Sequence, residues 1–560
     1  MSLDLVIKNG TVIDGTGRGR FKADVGIANG RIVEIGKIKD GAKKTIDASD
    51  LMVAPGFFDP HTHYDAQICW DPLVTCSSWH GVTTVVMGNC GVGIAPCRPE
   101  AREIATWDLV NVEGIPFEVL SKGTSWDWES FPEYMDAAER RGCALNLAFL
   151  APLTPFRHYV MGEESMDRAA RPQEIARIKS MIKEAVAAGA VGFSHTRLRQ
   201  HIGYQGRPLA CRQASLDELK SYANALKELG RGTIEISLSQ EVDLLTPEEA
   251  QLLDTLLTES GRPVTWLSLV PLHGNVNTCL ETLDRIEPLI ARGGIPQVTA
   301  HTSRLQLNLR NPFLMASLTS WKSLFNKPAE EQKRIYRDPA FRNAFREEMS
   351  RPQIFTSDWN RVDVDLASKP ALKHLEKKTI AEISRERGRD PFDTFLDIAL
   401  EDDLATWFSL SMMDENILAP LLSDRRTLIG LADGGAHVDL LCDAGYTTYL
   451  IGTWARDKGV LTLEEAVRRI TSEPAALFGF PQRGRIAVGL PADVAIFDYN
   501  TIGSTGRSQW RNDLPGGGRR LVSPAQGVEY TIVNGEVLFD HGQHTGAMPG
   551  KVLRLGANTQ

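Results

Sequence analysis

Residues 189–238 hold the stretch that decides the fold: Gly189-Ala190-Val191-Gly192-Phe193-Ser194, then Ser215-Leu216-Asp217-Glu218 opening a helical run to Gly230, then Thr233-Ile234-Glu235-Ile236-Ser237-Leu238. A short apolar run bounded by glycine reads as a strand, and Ser215 with Glu218 reads as a capping box. The unit is therefore strand, helix, strand. The beat continues in both directions. Upstream, Ile175, Ile178, Ile182, Ala185 and Val186 fall at helical spacing and stop at Gly189. Downstream, Thr246-Pro247-Glu248-Glu249 caps a helix with proline at its first position, and Val264–Leu269 follows as a strand. Leu280, Leu283, Ile286 and Leu289 mark the next helix, which yields Gln297-Val298-Thr299-Ala300. With Gly56–His63, Val82–Met87, Ala144–Leu150 and Leu428–Asp433, the chain has eight predicted strands with helices between them. That pattern predicts an α/β fold, a (β/α)8 TIM barrel.

Both ends of the chain read differently. Residues 3–52 contain short alternating segments with turns, such as Val6–Ile13 and Gly30–Ile35, and Asp493–Phe497 and Tyr530–Val537 repeat the style. These are hairpin signals. They predict one small β-sandwich domain built from both termini, residues 1–53 plus 480–560, beside a barrel spanning 54–479. Two stretches interrupt the barrel, at about 98–135, with Trp107, Trp126 and Trp128, and at 304–427, with Trp321, Phe325 and a charged run near Glu330–Glu348. Long insertions at a barrel mouth form lids or pocket walls, or serve as surface elaborations and oligomer contacts.

Composition narrows the function class. The 560 residues carry a net charge of −9 and are 42% hydrophobic, ample for a large core. Mild acidity excludes a basic nucleic-acid footprint, and no apolar run approaches the ~20 residues that cross a bilayer. Met1–Gly10 lacks a basic region followed by a long apolar one, so the expectation is a cytoplasmic protein without a signal peptide. Eight cysteines with no CxxC pair read as reduced thiols. The expected partner is a small-molecule substrate, with homo-oligomer formation open and neither nucleic acid nor membrane involved.

The chemistry lies at two predicted strand ends. Gly56-Phe57-Phe58-Asp59-Pro60-His61-Thr62-His63 closes the first strand, and Ile429-Gly430-Leu431-Ala432-Asp433 closes the eighth, about 370 residues later. Two histidines at i and i+2 on a strand point to one side. Neutral imidazoles are standard ligands for divalent transition metals, and an aspartate completes such a set. In a barrel the first and eighth strands are neighbours, and active sites lie at the C-terminal mouth. His61, His63 and Asp433 would then meet. His195 follows the fourth strand and His301 ends the seventh, with Arg197, Arg304, His201 and His437 near such ends.

The chain resembles the D-aminoacylase (N-acyl-D-amino-acid deacylase) branch of the amidohydrolase superfamily over nearly its whole length. The matching words are Ala54–Asp65, His80–Gly93 with Gly88-Asn89-Cys90-Gly91, Gly489–Asp493, and Asn512–Arg520 with Asp513-Leu514-Pro515-Gly516-Gly517-Gly518. The resemblance implies a barrel flanked by a β-domain, zinc, and hydrolysis of the amide bond of N-acylated D-amino acids. It implies His61, His63 and Asp433 as ligands, Cys90 as a further candidate ligand, and Asp433 as catalytic acid and base. The branch also places metal-binding histidines at the ends of strands five and six. Here those strands read Glu235-Ile236-Ser237-Leu238-Ser239-Gln240 and Trp266-Leu267-Ser268-Leu269-Val270, and His273 is out of register. The expectation is therefore one cation per chain, zinc by default, with manganese, iron or cobalt compatible. His195, His301, Arg197, Arg304, His437 and Glu235 are candidates for additional ligation or for substrate. The branch carries an arginine soon after the catalytic aspartate, whereas here none follows Asp433 before Arg456. The expected reaction is hydrolysis of an N-acyl amino acid-like amide by metal-activated water. The alternatives are another bond (lactone, carbamate, cyclic amide, deamination) and a non-enzymatic barrel with a degenerate metal site.

Overall fold

The computed structural model describes residues 2–39, 41–238, 244–271, 274–312, 315, 318–324, 327–350, 357–504 and 508–556. His273 and Phe325, and Ser239 and Gln240 of the strand-five reading, lie outside the described residues. The chain divides into two compact units. One comprises residues 1–301, 416–438 and 442–560, and the other residues 302–415 and 439–441.

The first unit contains the barrel. Its eight strands are β1 (Phe57–Asp59), β2 (Val82–Met87), β3 (Asn146–Pro152), β4 (Gly192–Thr196), β5 (Thr233–Ser237), β6 (Val264–Leu267), β7 (Gly294–Thr299) and β8 (Leu428–Gly430). They form one parallel sheet in chain order. The sheet is nearly closed. Just past the ends of β1 and β8, a parallel bridge joins Thr62 to Gly434, and His63 N–H donates to Gly434 O at 2.7 Å. The fully buried strands are near-continuous apolar runs because helices cover their outer faces. The predicted capping box at Ser215 and the predicted cap at Thr246 both form, with Glu218 N–H donating to Ser215 Oγ and Glu249 N–H to Thr246 Oγ1, each at 3.3 Å.

Both chain ends contribute to the remaining sheets of this unit. Leu3–Lys8, Asp24–Ala28, Arg31–Gly36 and Ala42–Asp47 form a four-stranded sheet. A seven-stranded sheet interleaves Val494–Phe497, Val528–Val533 and Glu536–Asp540 with Met52–Pro55 and Thr11–Val12. Leu5, Ile7, Val25, Val53, Val494, Ile496 and Ile532 share one buried cluster. The C-terminal tail then reaches the barrel, where Gly550 N–H donates to Cys143 O and Leu553 N–H to Leu147 O.

The second unit has its own core. A three-stranded antiparallel sheet of Arg304–Asn308, Trp407–Ser411 and Val362–Leu366 carries helices including Ala329–Arg337, Pro339–Glu348 and Pro391–Glu401. Trp321, Tyr336, Phe341, Phe345, Trp359, Phe395 and Phe408 fill it. The aromatic run of the longer insertion is thus the interior of a compact unit.

Candidate metal centre

β1 sets the two imidazoles. Past its last residue the chain keeps the strand alternation, so His61 and His63 share a side while Thr62 turns away and donates to Val86 O at 2.7 Å. His61 Nε2 and His63 Nε2 lie 3.3 Å apart, and neither residue is more than 2% exposed. Asp433 arrives from the segment after β8 with φ +46°, and its Oδ1 stands 3.3 Å from His61 Nε2 and 3.7 Å from His63 Nε2. Gly434, next in the chain, packs against the Tyr64 hydroxyl where a side chain would have no room. The Asp433 side chain is 28% exposed, so the cluster opens to solvent on its side.

A third donor comes from the turn after β2. Cys90 sits in Asn89–Gly91 with φ +56°, and its Sγ lies 3.5 Å from His61 Nε2. His61, His63 and Cys90 offer three donor atoms mutually within 4.8 Å. The turn is pinned from two strands. Cys90 N–H donates to Glu235 Oε2 of β5 at 2.7 Å, and Gly91 N–H to Ser194 Oγ of β4 at 3.0 Å.

Behind His63, Glu113 Oε1 stands 3.2 Å from Nδ1. Glu113 ends the helix Arg102–Glu113 and is buried. A carboxylate behind a ligating imidazole orients the ring and raises its basicity. Sequence reasoning missed Glu113. Its signal is position: it follows Leu109 by four residues, on the buried face of an amphipathic helix.

The electrostatics favour positive charge at this point. Burial lowers the His61 imidazole to about 4. Burial also opposes charge on His63, but the Glu113, Asp433 and Asp65 carboxylates overcome it and raise that imidazole to about 9. Burial would raise Asp433, yet the neighbouring His63 imidazole and the charges of His61 and His437 hold it well below the usual carboxylate range. Burial pushes Glu113 up to about 7 and Glu235 to about 8. His61 Nδ1 and Glu235 Oε1 are buried without a hydrogen-bond partner among the described residues. Two imidazoles, a carboxylate and a thiol in an anionic, mostly dry pocket suit a borderline divalent cation.

The other candidates are distributed unevenly. Glu235 is brought to the cluster through Cys90. His437 N–H donates to Glu113 O, and both His201 and His437 lie in the electrostatic neighbourhood of Asp433. His195 is not brought in. Ser194 pairs with Glu235 and His195 with Ile236, so alternation puts His195 on the other face of β4, near Arg157 and Arg197. Arg197 shares that face and donates to Arg212 O at 3.1 Å and Ala214 O at 2.9 Å. His301 stacks on Tyr449 with centroids 4.1 Å apart. Arg304, in the second unit, pairs with Asp363 and donates to Ser409 Oγ and Ser411 Oγ. Arg456, the first arginine after Asp433, donates to the backbone of Tyr499 and Ile502.

Residues 44–539 match the model of the Amidohydrolase family, and residues 1–56 match the N-terminal domain of the urease alpha-subunit. D-aminoacylase of Alcaligenes xylosoxydans xylosoxydans is 28% identical over 561 residues, covering 98% of this chain and 97% of the relative. N-acyl-D-glutamate deacylase of the same organism is also 28% identical, over 99% of this chain and 97% of its own. Among solved structures, the N-acyl-D-glutamate deacylase of Bordetella bronchiseptica, complexed with zinc and a phosphonate inhibitor, superimposes with a TM-score of 0.66 at 23% identity, covering 99% of this chain and 100% of that one.

Proposed function

The chain belongs to the amidohydrolase family, and on that premise we propose that it is a metal-dependent hydrolase of the amide bond of N-acylated amino acids, a carbon–nitrogen bond outside peptides. One observation carries the reading. His61 and His63 from the start of the barrel and Asp433 from its end converge within 3.7 Å on the one side of the cluster that opens to solvent. Relatives named as deacylases of D-amino acids, matched over nearly their full length, support the substrate class. The termini are read as one β-sandwich, on the buried cluster they share. The free state of all eight cysteines supports a reducing, cytoplasmic setting.

His61, His63 and Asp433 would hold a first cation, zinc by donor type and by the zinc complex of the Bordetella relative. The chemistry supplied there is Lewis acidity toward water and a carbonyl oxygen. The chain's own work is proton handling. Asp433 is ionised at neutral pH, so it takes the proton of the attacking water as the C–O bond forms, then gives it to the nitrogen as the C–N bond breaks. Glu113 keeps the His63 ring oriented.

The test is metal content by plasma emission, together with hydrolysis of a panel of N-acyl-D-amino acids, N-acyl-L-amino acids and lactones. Wild type should hold cation and cleave the N-acyl-D series. His61→Ala/His63→Ala should lose the first cation and all turnover, and Asp433→Asn should lose roughly 10²–10⁴-fold in kcat. Lactone cleavage alone would reassign the bond. A metal-free, inert wild type would end the reading.

A further inference from the structure

β5 presents Glu235 and Ser237 on the face that carries the cluster. Both belong to the Cys90 surroundings, since Ser237 acts on the Cys90 thiol and Glu235 accepts the Cys90 amide. A serine hydroxyl is short and a poor donor to a divalent transition metal. Glu235 starts one step deeper in the barrel and reaches up to the same turn. Its side chain is 0% exposed, and its two oxygens have different fates. Oε2 is satisfied by Cys90 N–H at 2.7 Å, whereas Oε1 is buried and receives no hydrogen bond from the described residues. A desolvated carboxylate oxygen without a donor calls for a proton or a cation.

Resting on the metal-dependent reading above, we propose that Glu235 is a cation ligand. With the Cys90 thiolate it forms a second divalent-cation position beside that of His61, His63 and Asp433, and the chain holds two cations where the sequence alone suggests one. His61 Nε2, 3.5 Å from Cys90 Sγ, puts the two positions side by side. Binding releases to solvent the thiol proton and any proton held on the Glu235 carboxyl, leaving a thiolate and a carboxylate that together balance one divalent charge. β5 supplies this ligand with a carboxylate from a deeper layer, in place of an imidazole at the strand end.

Cobalt(II) alone tests this. The cation-free protein is titrated with cobalt(II), counting bound ions by equilibrium dialysis and following thiolate-to-cobalt absorption in the near ultraviolet. Wild type should bind two ions per chain and show the band. Glu235→Gln keeps an oxygen for the Cys90 amide and removes the charge, so it should bind one ion as wild type does and the second at least ~10-fold more weakly. Cys90→Ser should weaken the same ion and abolish the band, an independent check should Glu235→Gln fold poorly. Two ions bound by Glu235→Gln with wild-type affinity would overturn the proposal and leave Glu235 as a buttress of the Cys90 turn. One ion on wild type would also overturn it while leaving the hydrolase reading intact. No ion on wild type would remove both.

Discussion

His195 shows what a single side chain can hide. It is 1% exposed, both ring nitrogens lack hydrogen-bond partners, and burial followed by the charges of Arg197 and Arg157 holds its imidazole well below the ordinary value. It therefore stays neutral in the fold while the unfolded chain protonates below about pH 6.5. The unfolded state then binds the extra proton, so stability falls as pH drops below that value, and this residue contributes nothing above it. The slope is about 1.4 kcal/mol per pH unit for one such group. His195→Leu should flatten the acid limb of a urea-midpoint profile between pH 4 and 7 without changing cation content. An unchanged acid limb would mean that His195 titrates normally. The same residue marks the limit of reading the site from the sequence. Its place at a predicted strand end gives height in the barrel, but parity decides which face it joins, and parity turns on a strand boundary known only to a residue or two. His61 and His63 escape that difficulty because an i, i+2 pair shares a face whatever the boundary. Glu113 was illegible for another reason, since an insertion helix carries it and only packing brings it behind His63.

Among the elements, the turn after β2 ties β4 and β5 to the site. Gly91 has φ +69°, and a β-carbon there would lie 2.9 Å from the Cys211 sulfur and from the His195 Cα. Gly91→Ala should displace the turn, lower stability by about 1–3 kcal/mol in urea unfolding, and weaken cation binding through Cys90. Gly19→Ala is the control, because nothing lies within 4 Å of its added β-carbon. Equal midpoints for the two variants would show that the turn accommodates a methyl group. The glycine-rich word was visible in the sequence as a motif. Its function as a junction, with Cys90 tied to β5 and Gly91 to β4, depends on register between strands that no local pattern encodes. The barrel strands themselves were legible because β2, β3 and β5 are buried along their whole length and hence mostly apolar or small, with Asn146 and Glu235 the exceptions.

At the scale of the whole molecule, the proposed donors come from β1 and the segment after β8 for one cation and from the β2 turn and β5 for the other, so the two cations together would tie four parts of the barrel. A ligand that binds only the folded state adds about 2.7 kcal/mol of stability at a hundredfold excess over its Kd. Stripping with a chelator should therefore lower Tm, and zinc should restore it. His61→Ala/His63→Ala should lose the first cation's share of that restoration and keep only what the Cys90–Glu235 position supplies. A chelator-insensitive wild-type Tm would mean that the donors contribute nothing to closure.

Barrel closure also sets a timetable. The Thr62–Gly434 bridge and the His63–Gly434 hydrogen bond join strands separated by most of the chain. At ribosomal rates of ~5–20 residues per second, Asp433 emerges some ~20–70 s after the histidine pair. Throughout that interval the nascent chain displays two imidazoles and a thiol with no aspartate to complete them. Completion of the proposed donor set is thus a late event in the synthesis of each chain, and the histidine pair and Cys90 wait for Asp433 until the last strand of the barrel has emerged.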